Sequence, residues 1–165
     1  MNSRSENWTK VSHQIGGCSE PYFVKVVQQI GKLDVKLIFS GNTFQSQESR
    51  ESGFAELDEH MMFSYLWVLA AYEFVRAFSQ RVREDSSLLP TQLGSELKEV
   101  KENFERVRIP LAKLEPAKRH QSTDSSIAWP VWNSRHGAAW AVTDEVIISR
   151  LELSEKLLNF LLKID

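Results

Sequence analysis

The stretch LDEHMMFSYLWVLAAYEFVRAFSQRV, residues 57–82, decides the fold of this chain. Its apolar side chains recur at steps of three and four, and further apolar residues fill the remaining faces through its middle. The most apolar part, residues 61–72, is bounded by Glu59, His60 and Glu73 and is well short of the ~20 residues that span a bilayer. The pattern predicts a long central helix buried in a protein core, and no membrane segment.

A second apolar stripe follows the central helix after a short connection that contains Pro90. Its members repeat at steps of four and three: Leu93, Leu97, Val100, Phe104, Val107, Leu111 and Leu114. The short connection favours antiparallel packing, so we predict a helical hairpin from Leu57 to Leu114. Pro110 lies inside the second stripe and should kink or end that helix nearby.

Antiparallel packing also predicts which residues of the two helices are neighbours. Residues whose numbers add to about 176 should lie side by side. This rule places His60 beside Glu115 at the open end of the hairpin. It also places Glu73 near Asn103, where Arg106 would be its charge partner.

The chain before the hairpin divides into an arm and a helical segment. Residues 1–18 carry no clear apolar period and include a glycine pair, so we expect a flexible arm before a single α-rich domain over 19–165. Apolar residues over 22–39 follow the helical template, although a turn at Gly31 would instead allow a helix and a strand. The polar residues 42–53 should form a mobile surface connection.

The last part of the chain contains β-prone runs before a final helix. Residues 127–132, 138–142 and 145–148 are predicted to form short strands, with a polar turn between the first two. Ser149 and Glu152 have capping-box spacing. They precede an apolar stripe made of Leu153, Leu157, Phe160, Leu161 and Ile164. The predicted fold class is mainly α, of the α+β type: a long antiparallel helical hairpin, an additional N-terminal helix, a small antiparallel β-hairpin or three-stranded meander, and a C-terminal helix.

Composition limits the classes of function. The chain has 165 residues, a formal charge of -2 and a sequence pI near 6.1, so nucleic acid or an anionic membrane would need a local patch. Cys18 is the only cysteine, which favours a reducing compartment, and we predict a cytoplasmic protein. Motifs typical of P-loop, dinucleotide-binding and hydrolase families are missing, so we expect no cofactor.

Two groups of residues offer possible metal ligands. One is His120 with Asp124, and the other is His60 with Glu56 and Glu59. Neither has the spacing of a metal motif such as HExxH or a set of cysteine pairs, so we predict no metal site.

The densest polar segment is Arg106 to His120. It holds Glu115 as the only acid and six basic side chains: Arg106, Arg108, Lys113, Lys118, Arg119 and His120. Such a cluster could neutralise the phosphates of RNA. The plainer interpretation, which we favour, is that cations at a helix end complement the helix dipole and cover apolar surface.

The same segment contains the parts of a general acid–base site. His120 could exchange a proton near neutral pH, while Arg119 or Lys113 stabilised an anionic transition state. Glu115 could orient the imidazole ring, and His60 is a further candidate at the open end of the hairpin. No spacing among these residues is diagnostic, so we lean towards a protein that is not an enzyme.

Three tryptophans mark the β-prone region: Trp129, Trp132 and Trp140. With Arg135 and His136 in the intervening turn, exposed tryptophans could stack bases or the aromatic groups of a partner. We favour the alternative, in which the tryptophans fill the cleft between a small sheet and the helices.

The region from Leu57 to His120, a long aromatic-rich helix followed by a charged one, resembles the HEPN domains of bacterial toxin and defence systems. That family of small helical proteins includes metal-independent ribonucleases. Its catalytic members carry an arginine and a histidine at a short spacing that no arginine and histidine here reproduce. The adjacent pairs Arg119-His120 and Arg135-His136 do not replace that motif, so the resemblance implies at most an inactive helical relative.

Two functions follow as hypotheses. The first is a non-enzymatic interaction or regulatory protein with a protein partner, or a homo-oligomer formed through the side from Leu93 to Leu114 or through the aromatic strands. The second is a metal-independent RNA-binding or RNA-cleaving protein of a toxin-antitoxin or phage-defence type. It would use the basic segment described above.

Overall fold

The computed structural model describes residues 2–18, 21–46, 53–133 and 135–164. Within these ranges lie the elements α1 Asn2–Cys18, α2 Pro21–Ser46, α3 Gly53–Glu84, α4 Gly94–Lys113, β1 Trp129–Asn133, β2 Gly137–Ala141, β3 Ile147–Ser149 and α5 Arg150–Leu161. The predicted fold class is confirmed, because the chain is mainly α with a long helical hairpin, a three-stranded antiparallel meander and a closing helix. No helix in the described ranges is long and apolar enough to cross a membrane.

The α3–α4 hairpin builds much of the core. Trp67, Phe74 and Phe78 of α3 are buried. The α4 stripe is buried as well, at Leu97, Val100, Phe104 and Val107. The rings of Trp67 and Phe104 lie 6.0 Å apart. Pro110 is accommodated inside α4, which ends at Lys113.

Burial of the α4 stripe removes one predicted surface for self-association. From Leu93 to Val107 its apolar side chains pack inside the chain, and only Leu114 is well exposed. α3 and the other core elements already cover this stripe within one chain, so its buried side chains are not available to a second copy.

Residues 22–39 lie in one continuous helix, so the helix-and-strand alternative is wrong. α2 continues through Gly31 without a turn. Glycine is needed at this position because α1 crosses closely there: a Cβ would lie 2.6 Å from Cβ of Trp8. α2 packs antiparallel to α3, with Phe23 and Phe74 ring centroids 5.9 Å apart and the Trp67 indole N–H donating to the Ile30 carbonyl at 3.0 Å.

The connection predicted over residues 42–53 is shorter than expected. Residues 42–46 continue α2 and Gly53 begins α3, so the expectation is wrong at both of its ends. Residues 47–52 lie outside the described part of the chain.

The flexible arm predicted over residues 1–18 is also wrong, because residues 2–18 form helix α1. Trp8, Val11 and Ile15 are buried, and they lie at helical spacing on one side of an otherwise polar helix. Three apolar residues give a weak sequence signal, yet they suffice once α2 offers a surface to pack against.

The sheet and α5 close the other side of the fold. The strands pair antiparallel in the order β1-β2-β3, with Trp132 opposite Ala138 and Trp140 opposite Ile148. The predicted capping box of α5 is present: the Ser149 side chain accepts from the Glu152 backbone, and the Glu152 carboxylate accepts from the Ser149 backbone. The predicted apolar stripe of α5 is buried.

A buried carboxylate joins three helices. Asp34 of α2 has no exposed surface and accepts hydrogen bonds from Arg150 at 2.5 Å and from Ser154 at 2.6 Å, both of α5. From α1, Arg4 donates to it at 2.7 Å and the Trp8 indole N–H at 2.9 Å. Both carboxylate oxygens are therefore fully used within the protein.

The two charges of this cluster depend on each other. Burial alone would raise the pKa of Asp34, but the neighbouring Arg150 and Arg4 guanidinium groups hold that pKa below its ordinary value. Burial lowers the pKa of Arg150, and Asp34 opposes this shift. The Arg150 guanidinium also lies 5.4 Å from the centre of the Trp67 ring, which ties the cluster to α3.

The variant Asp34→Ala should lose about 3–5 kcal/mol of unfolding free energy, because it leaves the Arg150 charge buried without a carboxylate. Chemical denaturation followed by circular dichroism measures the loss. Lys163→Ala, which removes an exposed ion pair to Glu96, is the control and should lose under about 1 kcal/mol. Equal losses for the two variants would contradict the role given to Asp34.

Two glycine substitutions should differ in their effect on stability, because only one of the two glycines is in close contact with another helix. Gly31→Ala places a Cβ into the Trp8 side chain and should destabilise the fold by about 1–3 kcal/mol. Gly94→Ala meets nothing within 4 Å at a helical backbone position, so it should be neutral or stabilise by up to about 1 kcal/mol. Thermal denaturation of both variants beside the parent tests the α1–α2 crossing, and an unaltered melting temperature for Gly31→Ala would contradict it.

Candidate functional site

Two arginines of the predicted anion-binding segment hold α4 to its neighbours. Arg106 donates to Asp124 through Nε at 2.7 Å and Nη2 at 3.0 Å, so the predicted Arg106–Glu73 pair is wrong. Burial works to raise the pKa of Asp124, but the hydrogen bonds from Arg106 hold it below its ordinary value. Arg108 instead contacts Glu73 at 3.2 Å and lies 4.9 Å from the centre of the Tyr72 ring.

Two further cations of the segment lie beside carboxylates on the surface. Lys113 and Glu115 are both more than half exposed and lie 3.6 Å apart. Arg119 contacts Glu102 at 2.8 Å. Lys118 is exposed. The segment is thus basic in sequence and largely neutralised in space.

His120 lies half-buried in a short 3-10 turn after α4. It lines a cavity of about 260 Å³ together with Lys118 and Arg119, but also with Glu102 and Glu105. Carboxylates in that lining disfavour an anionic ligand. The cavity therefore makes a poor phosphate site.

His60 is not paired with Glu115 as predicted: Glu115 is exposed beside Lys113, whereas His60 contacts other elements. It is buried, with Nδ1 2.9 Å from the Ser40 hydroxyl and its ring 5.3 Å from that of Trp132. Burial, reinforced by the nearby Arg150 charge, lowers its pKa to about 4. His60 is therefore neutral at pH 7 and packs α3 against α2 and β1.

The three tryptophans have three different environments. Trp140 is buried, as the favoured prediction has it, and Trp132 is half-buried against His60. Trp129, in contrast, is 58 % exposed. The prediction that the tryptophans fill the cleft is therefore wrong for Trp129.

The turn between β1 and β2 is held by the Asn133 side chain, which accepts the backbone N–H groups of Arg135 and His136. Arg135 is exposed, and His136 Nδ1 lies 3.7 Å from the Glu152 carboxylate. No group of three or more His, Cys, Asp or Glu side chains in the described ranges is placed to hold a metal ion.

A cavity between α2 and α3 forms a groove, here named the α2–α3 groove. It has a volume of about 830 Å³. Its floor is apolar, at Ile30, Trp67 and Phe74. Its rim carries Lys25, Lys32, Lys36 and Arg76. The one carboxylate of its lining, Glu73, is paired with Arg76 and Arg108. A second cavity of about 320 Å³ adjoins it at Lys36 and carries Glu56, Glu59 and Phe63. The combination of apolar floor and polar rim is typical of binding sites.

Three lysines of the groove lie on one side of α2. Lys25, Lys32 and Lys36 follow helical spacing, and all three are exposed. The structure places no carboxylate of the described ranges within 4.0 Å of their ammonium groups, and Lys36 instead lies 4.8 Å from the Phe63 ring centre. Asp34, the only acid of α2, is fully buried, so the outer side of this helix is cationic.

Sequence reasoning missed both the groove lysines and the Asp34 cluster. The spacing of the lysines is visible in the sequence, but it indicates a cationic side only if residues 22–39 form one helix, and the sequence left that choice open. The contacts of Asp34 with Arg150 and Ser154 span more than a hundred residues of chain and leave no local signal.

The pKa of His60 predicts how stability depends on pH. Between pH 6.5 and about 4 the unfolded chain binds a proton at His60 and the folded chain does not, so the free energy of unfolding should fall by up to about 3 kcal/mol as pH falls through this range. His60→Gln should remove that part of the slope, and His120→Gln is the control. Urea denaturation at a series of pH values measures it, and identical slopes for His60→Gln and the parent would refute the assignment.

Comparisons with known proteins leave the geometry as the basis for a functional assignment. No family model, no curated protein and no solved structure matches this chain.

Proposed function

We propose that this chain is a non-enzymatic interaction or regulatory protein that binds an acidic amphipathic helix of a polypeptide partner in the α2–α3 groove. The observation that carries the proposal is an apolar cavity bordered by three exposed lysines, Lys25, Lys32 and Lys36, none of which pairs with a carboxylate of the described ranges. Glu73, the one carboxylate of the lining, is already paired with Arg76 and Arg108. Apolar side chains of the partner would bury against Trp67 and Phe74, which supports affinity. The lysine rim would orient the partner and speed its association.

The dimensions of the groove favour a helix as the ligand. Lys25 and Lys36 are eleven residues apart on one helix, a distance of about 16 Å along its axis. A partner helix of about four turns covers that length and can present apolar residues to the floor and acids to the rim. Helix-in-groove binding of this kind is a recurring mode of polypeptide recognition.

The RNA-binding or RNA-cleaving alternative has weaker support. Arg106, Arg108, Lys113 and Arg119 each contact a carboxylate, which reduces their attraction for phosphate. His60 is buried, and the cavity beside His120 contains two glutamates. These features favour a binding protein over a catalyst.

We also propose that the protein is cytoplasmic. Its support is the single cysteine, Cys18, since one thiol cannot form a disulfide within the chain.

A labelled synthetic peptide tests the proposal. The peptide has about 18 residues, with leucines on one helical side and glutamates on the other. It should bind the dilute full chain in fluorescence anisotropy, and more weakly as salt is added. Lys25→Glu combined with Lys32→Glu should raise its dissociation constant about tenfold, because two attractive rim charges become repulsive.

Matched controls make the outcome specific. Lys98→Glu combined with Lys118→Glu reverses two exposed lysines away from the groove and should leave peptide binding unchanged. A peptide with lysine in place of each glutamate should not bind. Equal binding of both peptides, or tight binding of a labelled single-stranded RNA that Lys118→Glu weakens, would overturn the proposal in favour of nonspecific or RNA binding.

A further inference from the structure

The first two-thirds of α3 is itself an acidic amphipathic helix. It contains no lysine or arginine from Gly53 to Val75, and its first turns expose Glu56, Asp58 and Glu59. This segment therefore has the charge that the proposed function requires of a ligand for the α2–α3 groove.

The same segment also exposes large apolar side chains in a line. Phe54, Met62 and Leu66 are 77 %, 50 % and 45 % exposed, and with Asp58 they recur at steps of four along α3. Of the nine exposed large apolar side chains in the described ranges, five lie on α2 and α3. Most of the exposed large apolar side chains in the described ranges therefore lie on the two helices that form the groove.

Lys25 and Lys32 lie toward one end of the surface formed by α2 and α3, and the acids of α3 lie toward the other end. Because Phe23 faces Phe74 and Ile30 faces Trp67, α2 and α3 are antiparallel, and Lys25 and Lys32 lie level with about residues 65–72 of α3. Lys36 lies between these two lysines and the acids, in the cavity that it shares with Glu56 and Glu59. The acids begin about one to two turns beyond Met62 toward the start of α3. The midpoint between the two regions falls near Met62 and Leu66, both of which are exposed.

We propose that the partner in the α2–α3 groove is a second copy of this chain, bound through the start of its α3. A two-fold axis near Met62 and Leu66 would place the acids of each copy over Lys25 and Lys32 of the other. The exposed apolar side chains at the centre would then bury against their own counterparts. This inference depends on the proposed function of the groove and names its ligand.

Such a dimer is self-complementary, which gives a sharp test by charge reversal. One variant carries Lys25→Glu and Lys32→Glu, and a second carries Glu56→Lys and Asp58→Lys. Each alone should dissociate, since both of its symmetric contacts join like charges. When the two variants are mixed, both contacts of the mixed dimer join opposite charges, so association should return.

Sedimentation velocity of the full chain measures the association. The parent should change from monomer to dimer between about 1 µM and about 200 µM, and each reversed variant should raise the dissociation constant at least about tenfold. The mixture should recover to within about threefold of the parent. Lys98→Glu with Lys118→Glu is the matched control, and circular dichroism of each variant verifies that the exposed substitutions leave the fold intact.

The outcomes separate this inference from the proposed function. A parent that stays monomeric at the highest concentration, while the acidic peptide still binds the groove, overturns the second copy as the partner and leaves the groove function standing. If the charge-reversed variants dimerise as tightly as the parent, the proposed interface is wrong. Failure of both peptide binding and mixed association overturns both proposals.

Discussion

The Asp34 carboxylate is the constraint on which the arrangement of the helices depends. A charge without solvent contact must be compensated inside the protein, and here the compensation comes from Arg4 and Trp8 of α1 and from Arg150 and Ser154 of α5. These partners fix where both helices lie on α2. Hydrophobic packing through a few apolar residues would by itself allow α1 several rotations about its axis. The hydrogen bonds from Arg4 and Trp8 to Asp34 are compatible with only one of these rotations.

Ion pairs in the rest of the molecule determine which charged side chains remain available for binding. The basic segment from Arg106 to His120 is largely neutralised by nearby carboxylates: Arg106 pairs with Asp124, and Arg119 pairs with Glu102. The lysines of α2 have no such neighbours in the described ranges, because the one acid of that helix points inward. The cluster that is dense in sequence is therefore largely paired with carboxylates, whereas the three lysines on α2 are not, and this contrast is why we propose α2 as the binding surface.

Periodicity predicted the elements that bury a continuous apolar side. The hairpin, the meander and α5 with its capping box were all visible, because each depends on residues close together in sequence. α1 was missed, since Trp8, Val11 and Ile15 are too few to mark a helix without knowledge of α2. His60 was misplaced, because a rule for α3 and α4 says nothing of how β1 packs against α3. The groove forms between two helices, and neither helix reveals it alone.

The Asp34 cluster has a consequence for synthesis of the chain. Asp34 leaves the ribosome 116 residues before Arg150, so α1 and α2 are made while the carboxylate lacks half of its final partners. The two helices can associate early through Trp8 and Gly31, with water in the place that α5 will occupy. Full burial of the N-terminal helices then waits for the C-terminal helix, and a prematurely terminated chain would keep this charged surface open to solvent.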